Sequence, residues 1–72
     1  MNTMFKYKVG DFAWVVPTGE KKAVKVEILK INFEVEEPYV SIMEVVESKY
    51  RVARPEDLAD TSSEARKLKK AG

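Results

Sequence analysis

The side chains of this sequence that could do chemistry are carboxylates, lysines, arginines and tyrosines, because histidine and cysteine are both absent. The chain therefore lacks the usual general base at neutral pH, the usual zinc ligands and any disulfide. The carboxylates of Asp11, Glu20 and Glu27 have no spacing that pairs them as an acid and a base. The three glycines are isolated, so no phosphate-binding glycine loop is present. We predict that the protein is not an enzyme and has no cofactor or metal site.

The charged residues are segregated along the chain. The net charge is only +1, but residues 1–30 carry a net +3, residues 31–48 a net −5 and residues 49–72 a net +3. A surface of mixed sign is the ordinary explanation of such a pattern. The alternative is that the charged segments recognise partners of opposite charge, and two different surfaces are then candidates.

The first candidate surface combines aromatic and acidic side chains and would bind a protein. Strand alternation places Phe12 and Trp14 on the face opposite Ala13 and Val15, and an exposed tryptophan among other aromatic residues is a typical hot-spot anchor. Exposed glutamates around Phe33, Val35 and Tyr39 would orient a basic partner. The predicted contact residues are Phe12, Trp14, Phe33, Tyr39, Glu34, Glu36 and Glu37. The competing interpretation makes Trp14 a core residue with Phe12 as its neighbour, and the acidic segment an ordinary polar hairpin.

The second candidate surface is basic and would bind nucleic acid. Its residues are Lys6, Lys8, Lys21, Lys22, Lys25, Arg66, Lys67, Lys69 and Lys70. These cations would follow the phosphates while bases stack on Trp14 or Tyr50. Lysines also serve to keep sheet edges from aggregating, and the glutamates between residues 34 and 47 would repel a phosphate backbone over part of the surface.

Short β-strands carry these side chains. A 72-residue chain with 44% hydrophobic residues forms one domain with a single small core. Apolar and polar residues alternate with period two, and turn residues separate the strands. The predicted strands are Val9–Val16, Ala23–Ile31, Tyr39–Val46 and Lys49–Arg54. The alternation slips by one residue near Ile28–Leu29, which predicts a bulge there.

The segment after the fourth strand predicts two helical pieces. Pro55–Leu58 is typical of a single helical turn, with Leu58 returning to the core. Thr61 and Glu64 form a capping box that begins a short helix with a basic C-terminal end. We predict an all-β fold: a small barrel of four to five antiparallel strands over residues 1–60, followed by a short basic helix or tail over residues 61–72.

The segment Tyr7–Val15, with Gly10-Asp11 followed by alternating apolar residues, is similar to the opening of SH3-like barrels of the KOW and Tudor type. The order of the later signals resembles the RNA-polymerase-interacting domain of CarD-type transcription regulators. These signals are Pro17 and Gly19, then Val24, Val26 and Ile28, then Tyr39, and finally Val52, Pro55 and Leu58. The resemblance covers about residues 5–58. CarD-type proteins continue into a helical DNA-binding domain, for which residues 61–72 are too short.

The resemblance implies an SH3-like fold and an RNA polymerase or other transcription-machinery partner. We predict a non-enzymatic protein-binding module, with a nucleic-acid-binding barrel and a small structural subunit of an assembly as alternatives. The size and composition are also similar to those of small phage-encoded barrels. Met1–Lys8 lacks the apolar core of a secretory signal and no apolar run approaches a membrane span. We therefore expect a cytoplasmic monomer or weak homo-oligomer without membrane contact.

Overall fold

The computed structural model describes residues 5–71, and for residues 69–71 it describes the backbone only. Four antiparallel strands follow one another in the sheet in chain order, and a short helix follows the sheet. The elements are β1 (Phe12–Val15), β2 (Val24–Asn32), β3 (Tyr39–Glu44), β4 (Tyr50–Ala53), a 3₁₀ turn (Pro55–Asp57) and α1 (Ser62–Ala71).

The inner face of the sheet forms the main core. Ala13 lies opposite Val26, and Ile28 lies opposite Ile42, so the apolar residues of three strands meet on one face. These side chains are almost fully buried, as the alternation of the sequence predicts. Leu58 closes the cluster from beyond β4. Ala13 and Val15 face the core and Phe12 is exposed on the opposite side, in agreement with the predicted alternation.

A bulge in β2 allows this strand to keep its apolar residues buried. The pairing with β3 shifts between Ile28 and Lys30, which leaves Leu29 as the extra residue. After the bulge Ile31 faces the core opposite Val40, whereas Lys30 is exposed. The predicted bulge is confirmed, and its physical effect is to bend the strand while correcting the slip in the alternation.

The Gly10-Asp11 pair forms the turn that leads into β1. Gly10 has a φ of 98°, a conformation that glycine adopts at little cost. The Asp11 carboxylate accepts the backbone N–H of Lys8 at 2.8 Å, and the Asp11 N–H returns to the Lys8 carbonyl at 2.9 Å. The Gly10 N–H and the Asp11 carbonyl then bond to Ile28 at 2.8 and 2.9 Å. Asp11 thus has a structural role in fixing the entry to β1.

The chain crosses to the other edge of the sheet after β4. The 3₁₀ turn leads the chain to β1, and Ala59 then pairs antiparallel with Trp14 through backbone hydrogen bonds of 2.8 and 2.9 Å. Among the described strands, β4 pairs with β3 alone, and the four strands are not closed into a barrel. The antiparallel β architecture and the short C-terminal helix agree with the sequence prediction.

Three predicted strands are longer than the observed ones, and for Lys49–Arg54 the difference is one residue at each end. β1 begins at Phe12 rather than Val9, because the positive φ of Gly10 interrupts the extended conformation. β3 ends at Glu44, because residues 45–47 form the turn to β4, and Ser48 takes a φ of 56°. Val46 consequently lies exposed at the tip of this hairpin.

The predicted cap of α1 is present. The backbone N–H of Glu64 donates to the Thr61 hydroxyl at 3.1 Å. Ala65 is buried and packs with Val16 and Ala59 in a second, smaller cluster. The helix is therefore held against the sheet by a small apolar contact.

Candidate protein-binding surface

A groove opens where the connection between β2 and β3 faces the end of β4. It has a volume of about 760 Å³, which lies within the size range of ligand-binding clefts. We call it the acidic groove. Its lining residues are Phe33, Glu36, Glu37, Pro38, Tyr39, Val52, Ala53, Arg54, Pro55 and Glu56.

Aromatic and aliphatic side chains form the walls of the acidic groove. The side chains of Phe33 and Val52 remain 50% and 67% exposed, respectively. The Phe33 ring packs edge-on against Phe5, with 5.5 Å between centroids, so its position is supported from behind. The Tyr39 hydroxyl accepts a hydrogen bond from the Asn32 amide at 3.3 Å. These walls offer apolar surface to a partner, and a neighbouring side chain supports each aromatic ring.

The rim of the acidic groove carries negative charge. Glu36 and Glu37 are exposed and form no ion pair within residues 5–68. The cation at the rim, Arg54, donates to Asp57 at 3.1 Å and lies 3.8 Å from Glu56. These carboxylates raise the pKa of the Arg54 guanidinium above its ordinary value. The groove therefore retains two carboxylates that a basic ligand can reach.

The predicted protein-contacting residues fall into two places. Four of the seven, which are Phe33, Tyr39, Glu36 and Glu37, line the acidic groove, and Glu34 lies in the same connection. Phe12 is exposed on the outer face of the sheet, with the Lys25 ammonium 5.0 Å from its ring centre. Trp14 points to the same outer face but is half-buried against the second cluster.

Sequence reasoning missed the contribution of β4 and the 3₁₀ turn to the acidic groove. Val52, Pro55 and Glu56 lie far from the acidic segment in the chain, and no local pattern links them to it. The signal that was available is the alternation in β4, which leaves Val52 on the outer face. The pairing of β3 with β4 then places it beside the start of β3.

A hydrogen-bonded clip joins the N-terminal segment to the start of α1. The Tyr7 hydroxyl donates to Asp60 at 2.6 Å, and the Lys6 ammonium contacts the other carboxylate oxygen at 2.6 Å. Lys6, and secondly Tyr7, lower the pKa of Asp60 by hydrogen bonding. Burial, and then the Asp60 carboxylate, raise the pKa of Tyr7 well above its ordinary value. The clip also supports Phe5, whose ring packs against both Tyr7 and Phe33.

Replacement of Tyr7 by phenylalanine is expected to change how stability depends on pH. The raised pKa of Tyr7 means that its contribution is fully present below about pH 10 and is lost as the pH rises further. Tyr7→Phe should lower the free energy of unfolding near neutral pH by about 1 kcal/mol, and should flatten the decline above about pH 10. Urea unfolding across the alkaline range measures both effects. Unchanged alkaline behaviour in the variant would contradict the assignment, and Tyr50→Phe, at an exposed position, is the matched control.

Acid should weaken the same clip by protonating the Asp60 carboxylate. The lowered pKa of Asp60 means that its contribution is present above about pH 4 and is lost as the pH falls through the folded-state value. The clip is therefore at its strongest in the neutral range.

Five of the predicted nucleic-acid-contacting cations lie near one end of the sheet. Ala23 packs against the second cluster, which contains Ala65, so the loop before β2 lies near the sheet end that α1 covers. Lys25 pairs with Trp14, whose side chain contacts the same cluster. We call this set the basic patch, and its members are Lys21, Lys22, Lys25, Arg66 and Lys67, all exposed.

The remaining predicted cations are placed differently. Lys6 is paired with Asp60, and Lys8 lies in the turn that leads into β1. The side chains of Lys69 and Lys70 lie outside the described residues. Clustering at one end of the sheet is a product of the tertiary structure, because the cations of the basic patch come from two distant segments of the chain.

Comparison with protein-family models, with curated proteins and with solved structures finds no significant match. Within residues 5–71, no helix is both long and apolar enough to cross a membrane. Among the described side chains, no group of three or more aspartates or glutamates is arranged to hold a metal ion.

Proposed function

We propose that this chain is a non-enzymatic protein-binding module and that the acidic groove is its contact surface. The observation that carries the proposal is the combination of exposed apolar walls at Phe33 and Val52 with the exposed carboxylates of Glu36 and Glu37. Apolar area supplies affinity, and a charged rim speeds and orients association. The complementary ligand is a peptide segment with apolar side chains next to lysine or arginine.

We further propose that the fold is an SH3-like barrel of the KOW and Tudor type. Support comes from the 3₁₀ turn after β4 and from the bridge between Ala59 and Trp14, which adds backbone pairing at the free edge of β1. The β2 bulge also supports this fold, because a bulge bends its strand and increases the twist that closure of a sheet requires. The resemblance to CarD-type regulators makes RNA polymerase the specific partner that we propose.

Selection of a random displayed peptide library on the immobilised protein tests the binding class, because it requires no identified partner. We expect enrichment of peptides that carry basic residues beside apolar ones. Synthetic versions should bind Glu37→Lys at least about fivefold more weakly than the unchanged protein, because a repulsive charge replaces an attractive one. Glu47→Lys is the matched control, with the same charge change outside the groove.

Failure of the selection to enrich any sequence would contradict the protein-binding proposal. Equal weakening by Glu37→Lys and Glu47→Lys would instead show that the acidic groove is not the contact surface. Biolayer interferometry with purified RNA polymerase tests the specific partner separately, and the absence of binding there rejects that partner alone.

A nucleic-acid-binding function is the second candidate, and the clustering of the basic patch favours it. Single-stranded oligonucleotides should then bind with an affinity that falls steeply with salt, because each phosphate contact releases counterions. Lys21→Glu/Lys22→Glu should abolish this binding, whereas Glu37→Lys should not weaken it. Fluorescence anisotropy at low ionic strength measures both, and the absence of binding there rejects this candidate.

A further inference from the structure

We propose that the acidic groove also receives α1 of a second copy of this chain, so that the molecules associate head to tail. The inference rests on the acidic groove being the docking surface proposed above. It adds a specific occupant, the exposed side of α1, that the chain itself supplies.

The acidic groove and the basic patch lie at opposite ends of β2. The loop before Val24 belongs to the basic patch, whereas the connection after Asn32 lines the groove. None of the described side chains of α1 lines the acidic groove of its own molecule, and Ala65 holds the helix against Val16 and Ala59 instead. Complementary charges at separate sites therefore favour contact between copies.

The exposed side of α1 has the chemistry that the acidic groove requires. Leu68 is 41% exposed, and Arg66 and Lys67 beside it are exposed and form no ion pair within residues 5–68. In the groove of the next copy, Leu68 would pack against Phe33, and the two cations would lie beside the exposed glutamates of the rim. A basic segment with one leucine thus meets an apolar groove with an acidic rim.

This contact joins two different surfaces, so its geometry is heterologous. A row of copies keeps a free groove at one end and a free helix at the other, and growth continues unless a ring closes. Because exposed charges drive the contact, salt weakens it. Self-association would also compete with any partner that occupies the same groove.

Analytical ultracentrifugation of the full chain tests the inference. The unchanged protein should associate as its concentration rises at low ionic strength and should become monomeric in high salt. Two charge-reversed variants, Glu36→Lys/Glu37→Lys in the groove and Arg66→Glu/Lys67→Glu in the helix, should each remain monomeric, with a dissociation constant at least about tenfold higher. Glu47→Lys should associate like the unchanged protein.

Mixing the two charge-reversed variants gives the decisive result. The groove variant retains a normal α1 and the helix variant retains a normal groove, and their reversed surfaces are also opposite in charge. The two variants should therefore associate with each other in a one-to-one ratio, although each is monomeric alone. Combining all four substitutions in one chain should restore self-association. Circular dichroism establishes that each variant is folded, and Leu68→Ser, which keeps every charge, should weaken the contact through its apolar part.

Three outcomes would overturn the inference: a monomer at every concentration of the unchanged protein, continued association of either charge-reversed variant, or no association between the two variants in the mixture. A monomer that still binds the selected peptides through Glu37 would reject self-association while leaving the proposed function intact. Self-association that both charge-reversed variants abolish, without any peptide binding, would support the inference and reject the binding of other proteins.

Discussion

Replacement of Arg51 by methionine is expected to lower the melting temperature by roughly 10 °C or more, because it leaves a buried carboxylate without its partner. Glu44 is only 5% exposed and lies on the core side of β3. The Arg51 guanidinium on β4 donates to it and also to Glu20, at 3.1 Å, in the loop between β1 and β2. Arg51 therefore joins three segments: β4, β3 and the loop between β1 and β2. Methionine retains the length of the arginine side chain but none of its hydrogen-bond donors.

The loss of stability in Arg51→Met is expected to come from the buried Glu44 carboxylate that is left unpaired, rather than from the absence of the arginine itself. Glu44→Gln should be milder than Arg51→Met, because the remaining arginine still contacts Glu20 and water. The double variant should recover much of the loss, and a double-mutant cycle measures the coupling. Thermal unfolding followed by circular dichroism is sufficient for all four proteins. A melting temperature of Arg51→Met within about 2 °C of the unchanged protein would contradict this account.

Replacement of Trp14 by alanine is the second change with a large expected effect. The Trp14 side chain packs with Val16, Ala59 and Ala65, so it attaches α1 to the sheet. Truncation of a fully buried tryptophan to alanine lowers the free energy of unfolding by about 3–5 kcal/mol. Because Trp14 is partly exposed, we expect a loss of about 2 kcal/mol. Urea unfolding gives this number, and amide hydrogen exchange should show faster exchange in α1 than in the unchanged protein.

Phe12→Ala is the matched control for this experiment. Phe12 lies on the same outer face of β1 but is exposed and contacts Lys25 instead of the second cluster. Truncation of Phe12 should lower the free energy of unfolding by about 0.5 kcal/mol and leave amide hydrogen exchange in α1 unchanged. Equal losses in the two variants would show that Trp14 does not hold the helix.

The position of Trp14 changes how a binding experiment should be designed. One of the two sequence interpretations treats it as an exposed anchor, and loss of binding in Trp14→Ala would then identify the contact surface. In the structure the same variant also loosens α1, so a loss of binding has two explanations. Glu37 and Val52 are better probes, because both line the acidic groove and are exposed.

The sequence by itself determined the strands, their inner faces and the main turns. Period-two alternation is a local property, so it identifies the inward orientation of Val26 and Ile28, and the slip after them predicts the bulge. The positive φ of Gly10 and the cap at Thr61 are equally local, because they depend on one or two residues and the adjacent backbone.

Only the tertiary structure decided which distant side chains share a surface. The acidic groove needs the β2–β3 connection and the 3₁₀ turn together, and the basic patch needs the loop before β2 and α1. The Arg51–Glu44 pair also escaped sequence reasoning, since nothing in the alternation marks a charge that faces the core. These arrangements depend on strand pairing and on the path of the chain after β4, and a local pattern contains neither.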